Sequence, residues 1–525
     1  MQAVILSKFG RLMSGPQTAP RALHAIDEIL ARAAACSSDK ACIVVPDGPT
    51  LTYRDLERRA SAFARVLLEQ GCKPGERLVL ANCNTPGFFV SLFGALRAGL
   101  IAVPIDAGLG SLELKNVLAH ARPRAVVVDR RSAAAFLELD VSLCALDSEA
   151  GVPWHDLDHL GSGDPADSIQ QPDGAIILYT SGTTGSPKGV LHGHAGILSK
   201  LATIQSWLGL DDGTTALCLL PTHFGHGLIA CCLSTFHFGG TLVLCQPFDV
   251  ELLQRLFTLL ERYEVNVFST VPTIVRLLLR FSGASDRPAP SSLRFVTCAS
   301  APLHAQEIEA FEARFQVPLL NCYGITEAGT WSAMSSLDRE RDRRSVGTAH
   351  GCRIRAVDRD RVELPPGEIG NLEVAGPSLM LSYYLDREAT DRTIVNGWLA
   401  TGDLGHVDEQ GRVFLAGRSK ELIIRAGANV YPAEVEAAVM SHPAVAEAHV
   451  VGLDHAILGE RIAACVIRRA GSSVSSKELI SHCRERLAHY KCPEEIKFVD
   501  AVPKTSRGKV SRASIKAMFD DQNAG

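Results

Sequence analysis

The sequence predicts an α/β protein, a large N-terminal domain of layered α/β sub-domains with a smaller, mobile C-terminal α+β domain, and three observations predict it. Helical periodicity alternates with short β-branched runs from about residue 25 to 400, the texture changes near residue 403, and compact helix and strand signals fill the remainder. With 525 residues, 46% of them hydrophobic, the chain is long enough for several structural units. Fifty-three Lys and Arg against fifty-eight Asp and Glu leave a net charge of −5, an ordinary globular balance that argues against disorder and gives no electrostatic reason for a nucleic-acid partner.

Residues 1–24 read as a frayed arm; Lys8 and Arg11 with no acid before Asp27 have a faint transit-peptide character, but the apolar run Ala3 to Leu6 is too short for a secretory signal. Residues 25–419 form the large domain in this reading. Within it, YRDLERRASAFARVLLEQG predicts a helix, RLVLA a strand, GFFVSLFGALRAG a helix and IAVPI a strand. FDVELLQRLFTLLERYEV and NVFSTV repeat that alternation, which suggests two similar layers packed together. Gly213 to Phe248 carries no Asp, Glu, Lys or Arg over 36 residues, yet Pro221, His223, His226 and Gly239–Gly240 divide it into strand, turn, helical piece and strand, so it reads as buried core and not as a membrane span.

GHVDEQGRVFLAGR signals a hairpin around an Asp/Gln/Gly turn. Residues 420–525 then form the small domain: PAEVEAAVMSH as a helix with Pro432 in its first turn, strands AEAHVVGL and RIAACVIRR, a helix opened by Ser475-x-x-Glu478, and a basic tail that turns from loop to helix. Fifteen cysteines, none in a C-x-x-C pair, read as reduced and mostly buried thiols of a cytoplasmic chain.

The densest chemistry lies in YTSGTTGSPKG, Tyr179 to Gly189, which follows the apolar run AIIL and so exits a strand. Glycine permits close backbone approach, the hydroxyls of Thr180, Ser181, Thr183 and Thr184 with the N–H of Gly182 can surround phosphate oxygens, and Lys188 adds charge. The spacing G-x-x-G-x-x-K-G does not fit the Walker A pattern, which disfavours a P-loop kinase or motor. No H-E-x-x-H, zinc-spaced cysteine set or G-x-S-x-G elbow occurs, which weakens metallohydrolase and serine-hydrolase readings.

Six motifs in order, YTSGTTGSPKG, YGITE (Tyr323 to Glu327), TGDL (Thr401 to Leu404), GRSKELI (Gly417 to Ile423), GANVYPAEVE (Gly427 to Glu436) and PKTSRGK (Pro503 to Lys509), give nearly the whole chain a resemblance. It resembles the adenylate-forming acyl-CoA synthetases, whose superfamily includes luciferases and peptide-synthetase adenylation domains. The resemblance implies an AMP-forming acid–thiol ligase: acid and ATP give acyl-adenylate and pyrophosphate, then a thiol displaces AMP. It places Tyr323 and Gly324 against the adenine, Thr326 at a phosphate, Glu327 on Mg²⁺, and Asp403 with Arg418 on the ribose hydroxyls. Lys509 is implied as the catalytic ammonium that bridges the attacking carboxylate and the α-phosphate, with Thr326 and Glu327 beside it. Lys420 is implied as the hinge about which the small domain turns between half-reactions, bringing Gly427 and Ala428 to a coenzyme A tunnel. A regulatory relative without activity conflicts with the joint presence of Thr184, Glu327, Asp403, Arg418 and Lys509.

The acyl pocket implied by the resemblance is lined by His223, Phe224 and His226 of PTHFGHG and by Ala299, Ser300 and Ala301 of CASAPL. No Asp stands in the first segment to pair an ammonium, which disfavours an α-amino acid. His223-Phe224 reverses the Phe-His order of many relatives, and Ala299 stands where glycine is common. Only 16 residues follow Lys509, so a fused carrier domain is not expected; coenzyme A is the first acceptor and a separate acyl carrier protein the second.

Overall fold

A computed structural model describes residues 23–136, 139, 143–145, 171–180, 187–248, 250–280, 288–338, 340–426, 428–455, 457–504 and 510–520. Two sheets form the large domain's layers. In the first, the strands Ala41–Val44, Thr241–Leu244, Thr215–Cys218, Val267–Thr270, Phe295–Cys298 and Leu319–Ile325 lie parallel in that spatial order. In the second, Gly174–Thr180, Ile101–Pro104, Arg77–Leu80, Ala125–Val128 and Leu143–Ala145 do the same. The predicted pair of α/β layers is therefore present.

Each layer ends in the same way. Leu319–Ile325 folds back on Thr330–Met334 as an antiparallel pair, and Gly174–Thr180 folds back on Lys188–Gly193. The two motifs richest in chemistry occupy those two reversals, where a strand leaves the sheet and its backbone becomes available to a ligand. At the first reversal the strands approach so closely that a Cβ on Gly324 would stand 1.9 Å from the carbonyl oxygen of Thr330.

The helices form for local reasons and pack for long-range ones. Thr52 caps Tyr53–Glu69, its hydroxyl accepting from the N–H of Asp55 at 3.1 Å while Asp55 accepts from the N–H of Thr52 at 3.0 Å. Leu56, Ala60, Phe63 and Leu67 then recur at helical spacing and are buried. Pro86–Arg97 starts on a Thr85 cap and is buried along nearly its whole length, which explains its continuous apolar sequence. Its last residue, Arg97, is buried and pairs with Glu57 at 2.7 Å, locking the two helices together. The charge-free stretch resolves into Thr215–Cys218, a π-helix His226–Leu233, a short helix Ser234–His237 and Thr241–Leu244, as predicted, and no described helix is long and apolar enough to cross a membrane.

One expectation is corrected. The α/β alternation does not continue to residue 400: Arg353–Val357, Gly370–Ala375, Trp398–Val407, Val413–Arg418 and Ile394–Val395 form a separate antiparallel sheet. Gly370–Ala375 is buried at nearly every residue, while Trp398–Val407 alternates buried and exposed only over Leu399–Asp403. The hairpin within it matches the reading of GHVDEQGRVFLAGR. Ile423–Arg425, Ala428–Val430, Val445–His455, Gly459–Arg468 and Glu495–Phe498 make the sheet of the smaller C-terminal domain, with helices Pro432–Met440, Ser476–Arg484 and Arg512–Asp520.

Gly324→Ala should destabilise the protein by about 3 kcal/mol, because the clashing atom is backbone and cannot swing aside. Chemical denaturation read by circular dichroism checks this, and a variant as stable as the parent would contradict the close strand approach.

Candidate active site

Thr180 and Lys188 face each other across the reversal of the second sheet. Ser181, Gly182, Thr183 and Thr184 lie between them, outside the described residues, as do Gly427 and Lys509. The Lys188 ammonium sits 4.4 Å from the centre of the Tyr383 ring. The Tyr383 hydroxyl donates to Glu327 Oε1 at 2.9 Å. Burial, followed by the charge of Glu327, pushes the Tyr383 phenol up, so it stays a donor. Thr326 and Glu327 occupy a single 3₁₀ turn, Thr326–Ala328, anchored by the Met380 N–H, which donates to the Glu327 carbonyl at 2.8 Å. The second carboxylate oxygen of Glu327 has no described partner, and the residue is only half-buried. A carboxylate anchored on one oxygen, with the other unpartnered among the described residues, fits a hard divalent cation such as Mg²⁺.

Asp403 is the most buried charge at the site, at 6% exposure. It stands opposite Arg418 in the hairpin register and accepts from Arg418 Nε at 2.7 Å; its other oxygen accepts from the Tyr323 hydroxyl at 2.8 Å. Its backbone N–H donates to Thr401 Oγ1 at 3.0 Å. Burial raises the Asp403 carboxyl above its usual range, more strongly than the Arg418 charge and the Tyr323 hydrogen bond lower it. Tyr323, read as an aromatic surface, therefore has a further task that its motif does not announce: it connects the first sheet to the antiparallel sheet through Asp403.

Of the residues expected to line an acyl pocket, His226 opens the π-helix and its Nδ1 lies 3.1 Å from Ser300 Oγ. Ser300 holds a φ of 77°, a left-handed conformation uncommon without glycine, and is exposed, whereas Ala299 is buried. His223 and Phe224 are half-buried and tilted against each other, ring centres 4.2 Å apart, and Ala301 is exposed. Trp331, not singled out from the sequence, meets the His226 ring edge to face at 5.3 Å.

Lys420 lies in the exposed 3₁₀ turn Ser419–Glu421 between two opposed anchors. Ser419 Oγ donates to Asn371 Oδ1 of the large domain at 2.9 Å, while Glu421 accepts from Arg512 of the C-terminal helix at 3.0 Å. Arg512 also pairs with buried Glu436 at 2.9 Å. Ala428 is half-buried on its strand.

A glycine-rich reversal, an acidic turn and a buried carboxylate paired with arginine, gathered where three sheets meet, define the class as adenylate-forming enzymes. The chain belongs to the AMP-binding enzyme family: that family's pattern matches residues 30–384, and the AMP-binding enzyme C-terminal domain matches residues 434–509. The sulfoacetate–CoA ligase of Cupriavidus necator is 30% identical over 509 residues, covering 95% of this chain and 99% of the relative. A fatty acid–[acyl-carrier-protein] ligase of Streptomyces coeruleorubidus is 30% identical, covering 91% and 93%. The crystal structure of ATP-bound MatB from Rhodopseudomonas palustris superposes with a TM-score of 0.87 at 28% identity over 95% of this chain and 99% of that one.

Tyr383 and Trp331 are the site residues missing from the motif-based reading. Only the aromatic pair Tyr383–Tyr384 and the aromatic following YGITEAG hint at them, and neither signal specifies a partner.

Tyr323→Phe deletes a donor to a buried carboxylate and should cost about 2 kcal/mol, with the Asp403 carboxyl pushed further up. Thermal unfolding at neutral pH tests the first effect, and an unchanged melting temperature would contradict it.

Proposed function

We propose that this AMP-forming acyl-CoA ligase uses the two strand reversals and the antiparallel hairpin as one nucleotide site, with Asp403 as its fixed point. The observation that carries the reading is the convergence of Lys188, Tyr383 and Glu327 with Tyr323, Asp403 and Arg418. Asp403 accepts from the ribose hydroxyls, Arg418 steadies that carboxylate, and the Tyr323 ring borders the adenine beside Gly324. Thr180, the Ser181–Thr184 segment, Lys188 and Thr326 surround the phosphates. Glu327 holds Mg²⁺, which when bound neutralises charge on the phosphates of ATP.

In the first half-reaction a carboxylate oxygen of the acid bonds to the α-phosphorus and the bond to pyrophosphate breaks. Lys509 places its ammonium between the two negative partners, an electrostatic task with no proton transferred. In the second, a thiolate sulfur bonds to the acyl carbon, AMP leaves, and the thiol proton goes to solvent. The two anchors on either side of Lys420 define where the chain turns between these steps, Ser419 staying with the large domain and Glu421 with the small one. On this reading the domains are 25–419 and 420–525, with Gly427 and Ala428 facing the thiol in the second state. The free, mostly buried cysteines suit a reducing cytoplasm.

Coenzyme A is the acceptor in this reading. The similarity to a carrier-protein ligase supports a second one, in which the thiol belongs to an acyl carrier protein. Mass spectrometry of products from ATP, Mg²⁺ and a pool of aryl and short-, medium- and long-chain acids separates them. Acyl-CoA formed on addition of coenzyme A supports the first, and acyl-adenylate that accumulates without thioester supports the second.

Lys509→Ala should lower adenylation by roughly 10²-fold or more while thioester formation from supplied acyl-adenylate continues. Equal losses in both half-reactions would refute the division of labour. Because burial raises the Asp403 carboxyl, its protonation on acidification occurs above the usual carboxylate range and removes the ribose acceptor. ATP affinity should therefore be constant above that raised pKa and fall as pH drops through it, with the fall absent in Asp403→Asn; titration calorimetry across pH reads both.

A further inference from the structure

Lys188 and Glu327 carry opposite charges at the phosphate end of the proposed site, and among the described residues no ion pair joins them. One side chain touches both. The ammonium of Lys188 lies 4.4 Å from the centre of the Tyr383 ring, and the Tyr383 hydroxyl donates to Glu327 Oε1 at 2.9 Å. Tyr383 is buried, at 6% exposure, whereas Lys188 and Glu327 are half-buried.

The backbone leaves Tyr383 little freedom. Its segment begins at Met380, whose N–H donates to the Glu327 carbonyl at 2.8 Å, and reaches Tyr384, whose N–H donates to the Gly189 carbonyl at 2.7 Å. Between them Ser382 and Tyr383 pair antiparallel with Leu191 and Val190, and the Tyr383 N–H donates to Thr390 Oγ1 at 2.9 Å. The segment thus splints the acidic turn to the strand returning from the glycine-rich reversal, and Tyr383 is the member whose side chain meets a charge on each.

A cation and a carboxylate within reach of each other attract strongly once water is partly excluded, and a pair formed there has to break before either group meets a ligand. A phenol avoids that. It is neutral, so its hydrogen bond orients the carboxylate without cancelling the charge that a hard cation needs, while its ring face holds the ammonium by the weaker cation–π attraction. Resting on the acid–thiol ligase reading above, with Glu327 on Mg²⁺ and Lys188 at the phosphates, we propose that Tyr383 is a positioning residue that keeps Lys188 and Glu327 from pairing with each other, so that both charges stay available to Mg²⁺ and ATP. The hydroxyl serves the metal and the ring serves the ammonium.

Two variants separate these tasks: Tyr383→Phe removes the hydroxyl and keeps the ring, and Tyr383→Leu removes both. Metal binding is read without turnover, from the electron paramagnetic resonance of free Mn²⁺ titrated into protein holding the unreactive analogue α,β-methylene-ATP, and binding of the analogue without metal is read by calorimetry in EDTA. Tyr383→Phe should weaken Mn²⁺ binding by about tenfold while metal-free nucleotide binding stays at the parental value, and excess Mg²⁺ should restore pyrophosphate release from ATP and acid. Tyr383→Leu should weaken both kinds of binding. Parental Mn²⁺ binding in Tyr383→Phe, a loss of pyrophosphate release that excess Mg²⁺ does not restore, or parental metal-free nucleotide binding in Tyr383→Leu overturns the positioning role and leaves the ligase reading intact. Glu327→Gln is the control: parental Mn²⁺ binding there overturns Glu327 as the metal ligand and the proposal with it. Absence of pyrophosphate release by the parent with every acid overturns the ligase reading, while the binding titrations still decide the role of Tyr383. Should Tyr383→Leu not fold, Tyr383→Phe alone decides.

Discussion

Burial of the Asp403 carboxylate is the constraint on which the junction between the first sheet and the antiparallel sheet depends. An ionised carboxyl taken out of water is costly by several kcal/mol unless charge and hydrogen bonds compensate it. Here compensation comes from two different sheets: Arg418 from the neighbouring strand of the same hairpin, and the Tyr323 hydroxyl from the last parallel strand of the first layer. The hairpin register, the docking of the antiparallel sheet and the position of Tyr323 are therefore tied to one group. Burial raises the carboxyl more than Arg418 and the Tyr323 hydroxyl lower it.

The same logic extends to the phosphate end with less burial. Lys188 on the ring of Tyr383, and Tyr383 on the carboxylate of Glu327, join the glycine-rich reversal to the acidic turn through one aromatic residue. Adenylation asks little covalent chemistry of a protein and much fixed geometry for charge, and a chain of contacts in which each member has few alternatives supplies that. The segment around Lys420 is held differently: Ser419 bonds to Asn371 and Glu421 to Arg512, one residue either side of it, so two neighbouring residues are tied to separate cores, the arrangement that the proposed turn at Lys420 would use.

The two groups of residues differ in kind: cations, carboxylates and hydroxyls gather around Asp403 and Glu327, whereas His226, Trp331, Ala299 and Ser300 bring rings, an alanine and a serine together. If the second group forms the acyl pocket, as the sequence resemblance implies, discrimination among acids there comes more from shape than from charge neutralisation.

What was legible in the sequence was local. The Thr52 cap and the Leu56, Ala60, Phe63 and Leu67 stripe announce a helix because neighbours three or four apart share a face. The YTSGTTGSPKG and YGITE motifs are readable because phosphate contact needs adjacent hydroxyls and flexible backbone in one short segment. Apart from the GHVDEQGRVFLAGR hairpin, the antiparallel sheet between residues 353 and 418 was not readable, since its other pairings join strands separated by long connections. Tyr383 beside Glu327, Trp331 beside His226, and the sulfurs of Cys218, Cys231 and Cys232 within 4.8 Å of one another were likewise decided only by the fold. The sequence by itself determined the fold class and the family, because those depend on short-range pattern; tertiary structure alone decided which buried polar atoms found partners, because that depends on packing between segments far apart in the chain.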